Sequence, residues 1–361
     1  MTPQRTRVAT ALMILLLLGL PALWGCDVAP ARPAPSLPPV ATATPTAPLI
    51  TPATLDRLTL LQSFAAFSGG DVAWAPDSRT LAVSVTTTVQ LWDVATSTLR
   101  RTLVAQPLDT STEQPLPSIQ SVAFAPDGQT VVSGPDRVVR RWHVGDGLPL
   151  SALGPNEIGT YFDDIQFAPD GQTLLADTGL VVQRWQFPAG TPLPPLQGAP
   201  KIGNIAEGIG SIAITADSRL LAVAYGTGQV LLWQLPAGTL QRTLHGPPNG
   251  LIRIAFAPDG QTLAVGGPDG TVRLWRVSDG ALVRTLTGAK NQTTSLSFTP
   301  DGQLLAATAN NITCIWRVVD GALLHTNQDK LTIFFKVAFS PDGRLLAVRM
   351  IGNEVALWGV R

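Results

Sequence analysis

Seven times along the chain, an aspartate in a turn signal is followed 15 or 16 residues later by a tryptophan. The pairs are Asp77 and Trp92, Asp127 and Trp142, Asp170 and Trp185, Asp217 and Trp233, Asp259 and Trp275, Asp301 and Trp316, and Asp342 and Trp358. A spacing kept this closely through seven copies means one small unit repeated, with each copy packing on its neighbours.

The plainest copy, residues 253–286, shows what the unit is. A first apolar run ends at Pro258-Asp259-Gly260 and a second at Pro268-Asp269-Gly270. The third ends in Leu274-Trp275, and a fourth comes after Ser278-Asp279-Gly280 and reaches Leu286. Short apolar runs closed by Pro, Asp and Gly read as strands, because proline presets the first central turn position and Asp-Gly suits the two after it. A sheet of four such strands cannot bury both faces alone. Stacking the sheets radially buries them, and closing the ring removes the exposed ends.

The closure is also legible. The last copy stops at Trp358-Gly359-Val360-Arg361 without a fourth strand, while Leu58–Phe64 repeats the pattern of Gly280–Leu286. The amino-terminal segment is therefore expected to supply the missing outer strand. The fold class is all-β, a seven-bladed β-propeller of four-stranded antiparallel blades over residues 58–361. The repeats run about 71–103, 121–153, 164–196, 211–244, 253–286, 295–327 and 336–361 plus 58–67.

In its Pro-Asp-Gly turn, its Val-x-Leu-Trp third strand and its Gly-x-Leu-x-x-Thr-Leu fourth strand, the chain resembles the WD-repeat β-propellers. Only Trp92-Asp93 spells the name-giving dipeptide, and the Gly-His before the first strand is absent. The hydrogen-bond network of Asp, His, Ser and Trp in better-matched repeats is thus mostly missing, and stability is expected from apolar packing between blades. The resemblance implies a binding platform that works through rim loops and the central opening, without naming a partner.

Ahead of the repeats, Arg5 and Arg7 precede the apolar stretch Val8–Leu20, and Leu23-Trp24-Gly25-Cys26 resembles a bacterial lipobox. Residues 1–25 are expected to be a signal peptide, with Cys26 acylated so that the exported chain sits on the extracytoplasmic face of a membrane. The alternatives are an uncleaved anchor helix or secretion without an anchor. Residues 26–57, with eight prolines between 27 and 54, read as an extended tether.

The whole chain has formal net charge zero, which gives no basic field for nucleic acid. Two cysteines and three scattered histidines supply neither a metal centre nor a histidine-based catalytic centre. No nucleophile elbow, P-loop or zinc-protease motif occurs. The expectation is a monomeric, non-catalytic platform without a cofactor, binding an unidentified protein. The alternative is an envelope enzyme, or a propeller that binds carbohydrate or another small ligand in its central opening.

Function in a ring of copies is expected where the copies differ. From the end of one fourth strand to the residue closing the next first strand, three junctions span 12 residues. The junctions Leu103 to Phe124, Leu153 to Phe167 and Leu196 to Ile214 span 21, 14 and 18. These longer loops share one rim, the face where repeat proteins often bind. Their candidate contact residues are Glu113, Tyr161, Phe162, Asp163, Asp164, Lys201, Asn204 and Glu207. A second departure is Arg141 and Arg184, each just before a tryptophan where five blades carry Leu or Ile. They are expected to meet a carboxylate, to reach solvent, or to form an anion-accepting notch.

Overall fold

The computed structural model describes residues 47–361 apart from 66–69, 105–117, 135–137, 155–163, 197, 199–200, 203–204, 207, 247–252, 329–332 and 352–353. Seven four-stranded antiparallel sheets form the blades of a propeller, and their inner strands touch in sequence around the ring, the seventh against the first. Blade 5 is representative, with strands Arg253–Phe256, Thr262–Gly266, Val272–Arg276 and Leu282–Leu286 from the axis outward. Its turns need glycine. Gly270 has φ +73°, and a Cβ there would lie 2.2 Å from the Ala289 carbonyl oxygen.

Blade 7 closes the ring as the sequence predicts. Leu58–Ala65 runs antiparallel to Glu354–Val360, with Leu58 opposite Val360 and Phe64 opposite Val355. Leu61 and Phe64 are buried from this strand, and Phe64 stacks on Trp92 of blade 1 with ring centroids 4.7 Å apart.

The order begins ahead of residue 58, inside the segment read as tether. Ile50 and Leu55 are each only 2% exposed and pack with Leu304, Ile315 and Phe339 of blades 6 and 7. The Ile50 N–H donates to the Gly343 carbonyl at 2.9 Å, and Arg344 bonds the Ala47 carbonyl. In sequence these two apolar residues stand among prolines and threonines, too sparse to show a period.

Seven apolar clusters fill the seven blade–blade interfaces among the described residues. At the first interface, Leu91 and Leu103 of blade 1 meet Phe124, Val131 and Trp142 of blade 2. Second strands such as Thr80–Val85 and Leu304–Ala309 are buried along their whole length, because both faces meet a neighbouring blade. The indole N–H of Trp316 donates to the Thr287 carbonyl at 2.8 Å, whereas those of Trp233 and Trp275 are buried without an acceptor. Apolar contact between blades therefore carries these tryptophans, as the missing network predicts.

Candidate functional site

Each inner strand bonds its own blade along one edge and leaves the other edge facing the axis. Its outward N–H groups need acceptors, because a buried amide left unpaired costs about 1–3 kcal/mol. Side chains from the preceding blade supply them. The residue three positions before the one closing each first strand is, around the ring, Asp71, Ser121, Asp164, Ser211, Arg253, Ser295 and Lys336. Asp71 Oδ2 accepts the Val122 N–H of blade 2 at 3.3 Å, and Ser121 Oγ accepts the Ile165 N–H of blade 3 at 3.0 Å. Asp164 Oδ2 accepts the Ile212 N–H of blade 4 at 3.2 Å, and Ser295 Oγ the Val337 N–H of blade 7 at 3.2 Å.

Arginine and lysine have no lone pair to offer in this position, so they bond differently. Arg253 donates from Nε to the Thr294 carbonyl of blade 6 at 3.1 Å and from Nη1 to the Gly210 carbonyl of blade 4. Lys336 Nζ lies 2.9 Å from Asp71 Oδ1, joining blade 7 to blade 1. Six of the seven residues in the series, all but Ser121, line a central opening with a volume of about 900 Å³. The ends of two lengthened junctions, Ser118 with Gln120 and Ile209 with Gly210, form part of its wall.

One more charge lines the opening. Arg349, on the second strand of blade 7, stands directly opposite Lys336. The equivalent positions in blades 1 to 6 hold Ser84, Gly134, Asp177, Ala224, Gly266 and Thr308. Arg349 is 3% exposed, and neither its Nε nor its Nη1 finds an acceptor. Burial pulls the Arg349 pKa down, while Asp71 works in the opposite direction. Burial also works to lower the Lys336 ammonium, but Asp71 and Asp164 outweigh it and hold it above the ordinary lysine value. Three cations, Arg253, Lys336 and Arg349, thus share the wall with two carboxylates, Asp71 and Asp164.

Asp164 keeps some surface toward the opening, yet burial raises its carboxyl pKa against the pull of Lys336 and Arg253, with Asp71 adding to the rise. The folded chain holds this proton more tightly than the unfolded chain. The contribution is fully present below the ordinary carboxylate value of 3.8 and is lost as pH rises through the raised one. Asn keeps an acceptor for the Ile212 N–H but cannot ionise. Urea midpoints of wild type and Asp164→Asn are therefore expected to converge at low pH and to separate in the variant's favour toward neutrality. A difference that does not change with pH contradicts this.

Arg141 and Arg184 meet backbone carbonyls in place of the carboxylates anticipated from sequence. Arg141 donates from Nε to the Ser151 carbonyl at 2.7 Å, from Nη1 to the Pro188 carbonyl at 2.9 Å and from Nη2 to Ser151 Oγ at 2.7 Å. Arg184 donates from Nε to the Pro194 carbonyl and from Nη1 to the Pro236 carbonyl, both at 2.9 Å. Three of the five guanidinium N–H groups of Arg141 are thus engaged by the protein itself.

The reason lies in the fourth strands. In blades 1, 4 and 5, Arg101, Arg242 and Arg284 reach carbonyls in the next blade's outer turn. Blades 2 and 3 have Ser151 and Pro194 at that place, and a guanidinium from the third strand does the same work. The signal was available: arginine precedes the tryptophan in the two blades whose fourth strand has Ser or Pro where the next-blade arginine would stand.

Of the rim candidates, Asp164 starts an inner strand and lines the opening. Lys201 falls in a two-residue strand, Lys201–Ile202, paired with Ile205–Ala206. Cys26, Glu113, Tyr161, Phe162, Asp163, Asn204 and Glu207 lie outside the described residues. Among the described residues no three His, Cys, Asp or Glu side chains group as metal ligands, and no helix is long and apolar enough to cross a membrane. Cys314 is a buried third-strand residue whose thiol burial pushes up to about 11.

The family model described as WD domain, G-beta repeat, matches three stretches, residues 107–143, 238–276 and 280–317. The second and third each join the fourth strand of one blade to the first three of the next, the same offset that leaves the last blade needing Leu58–Ala65. No curated protein matches the chain.

Proposed function

We propose that this propeller is a non-catalytic platform, exported and lipid-anchored through Cys26 at a bacterial cell envelope, that receives a protein partner at the mouth of its central opening. WD repeats occur in three places, and propellers of that kind commonly serve as interaction platforms. The observation that carries the reading is that the ends of two lengthened junctions form part of the wall of the opening. The ends of two lengthened junctions and the charged ring thus share one opening.

A second reading, an envelope enzyme or a propeller binding carbohydrate or another small ligand, draws on Asp71 and Asp164 in one cavity. Each accepts a blade-to-blade N–H bond, which accounts for the two carboxylates structurally and favours the platform. Crosslinking in intact cells followed by capture tests the choice. Wild type is compared with a variant whose loops 104–120 and 154–163 are cut to the length of the plain junctions. The shortened form is expected to lose the partner, and identical catches overturn the platform reading. In the same cells, Cys26→Ser is expected to shift the protein out of the membrane fraction; unchanged fractionation removes the anchor.

A further inference from the structure

The mouth of the opening is uneven, and blade 7 is where it departs furthest from the other blades. Like charges directly opposite one another weaken a sheet, yet Lys336 faces Arg349 across strands Phe334–Phe339 and Leu345–Met350. Asp71 answers Lys336. Among the described residues nothing accepts from Nε or Nη1 of Arg349, and an unpaired buried guanidinium is costly.

The wall beside this pair is apolar, with Phe335 and Ile351 lining the same opening. Ile333, Phe335 and Ile351 are 39%, 44% and 47% exposed, and the Ile351 N–H donates to the Ile333 carbonyl at 2.7 Å, which holds the two segments together. One exposed apolar side chain is ordinary. Three at one lip, beside a buried guanidinium with two nitrogens lacking acceptors, make a surface with two unmet needs, an anion and apolar cover.

We propose that the partner enters as an acidic peptide segment carrying apolar side chains, one carboxylate reaching Arg349 beside Lys336 while the apolar side chains cover Ile333, Phe335 and Ile351. This deepens the platform reading and rests on it. Charge complementarity selects the occupant: the wall holds three cations against two carboxylates, and both carboxylates already serve neighbouring blades. A cavity of about 900 Å³ admits a few side chains of an extended segment. The carboxylate gives Arg349 charge-assisted bonds, the stronger kind.

The test uses the full-length chain and a fluorescein-labelled peptide of alternating Glu and Leu, read by fluorescence anisotropy. Its Gln-for-Glu counterpart is the control, and inorganic phosphate is the competitor. Wild type is expected to prefer the acidic peptide by about tenfold or more, the worth of a charge-assisted hydrogen bond. Arg349→Met is expected to lose that preference with an unfolding midpoint unchanged or raised, since it removes an uncompensated charge. Phe335→Ser changes an exposed side chain and is expected to weaken both peptides with the fold intact, so it decides the matter if Arg349→Met does not fold.

Equal binding of the two peptides overturns the proposal, as does wild-type affinity in both variants. Phosphate binding without any peptide preference also overturns it and leaves a plain anion site. The cellular crosslinking separates the two levels. If shortening the loops loses the partner while the peptides fail to discriminate, the platform stands and this inference falls.

Discussion

Deleting Leu58–Ala65 is expected to abolish cooperative unfolding. The strand contributes buried Leu58, Leu61 and Phe64, and covering three such side chains is worth about 6 kcal/mol in total. That rivals the whole stability of an ordinary domain, about 5–15 kcal/mol. The loss extends beyond contacts. Without the strand, Glu354–Val360 becomes a bare edge and blade 7 loses its outermost strand, the one that closes the ring.

The register supplies a rescue. Because Leu58 sits opposite Val360 and the pair is antiparallel, the strand moved to follow Arg361 through an Asn-Gly turn restores an ordinary hairpin. Urea unfolding followed by tryptophan fluorescence is expected to be broad or absent in the deletion and cooperative again in the rearranged chain. A deletion that melts like wild type removes the closure argument.

Asp71→Ala is the largest expected effect from one side chain. Asp71 holds blade 1 to blade 7 through Lys336, and to blade 2 through Ser121 Oγ and the Val122 N–H, both at 3.3 Å. Removing it leaves Lys336 and Arg349 facing each other with their nearest counter-charge gone. Breaking a buried pair on one side costs about 3–5 kcal/mol, and the lower end applies because the Lys336 side chain stays 37% exposed and is screened. Adding Lys336→Met to Asp71→Ala is expected to return part of the loss, because the uncompensated cation goes with it. Urea midpoints of the two single variants and the double measure the coupling. Strictly additive losses contradict a working ion pair.

The unit, the number of blades and the closing strand were legible because each depends on local chemistry. A Pro-Asp-Gly turn states where a strand ends without reference to the rest of the chain, and seven copies average out the departures. The entry segment was not legible, since Ile50 and Leu55 among prolines show no period until blades 6 and 7 are there to receive them. Arg141 and Arg184 stand out in the sequence as departures, but their carbonyl partners do not. A buried guanidinium calls for a counter-charge, and here carbonyl oxygens of the next blade's outer turn answer it instead.

For the site, loop length leads to Asp164, which lines the opening, while most of the other rim candidates lie outside the described residues. The series Asp71, Ser121, Asp164, Ser211, Arg253, Ser295 and Lys336 could be read by aligning the copies, but nothing in one copy marks that position as facing an axis. By itself the sequence determined a ring of seven four-stranded blades, because turns and strand periods act over a few residues. Only the tertiary structure decided what the ring presents. Lys336 and Arg349 become neighbours through the register of one hairpin, and Asp71 joins them only because the first blade meets the seventh when the ring closes.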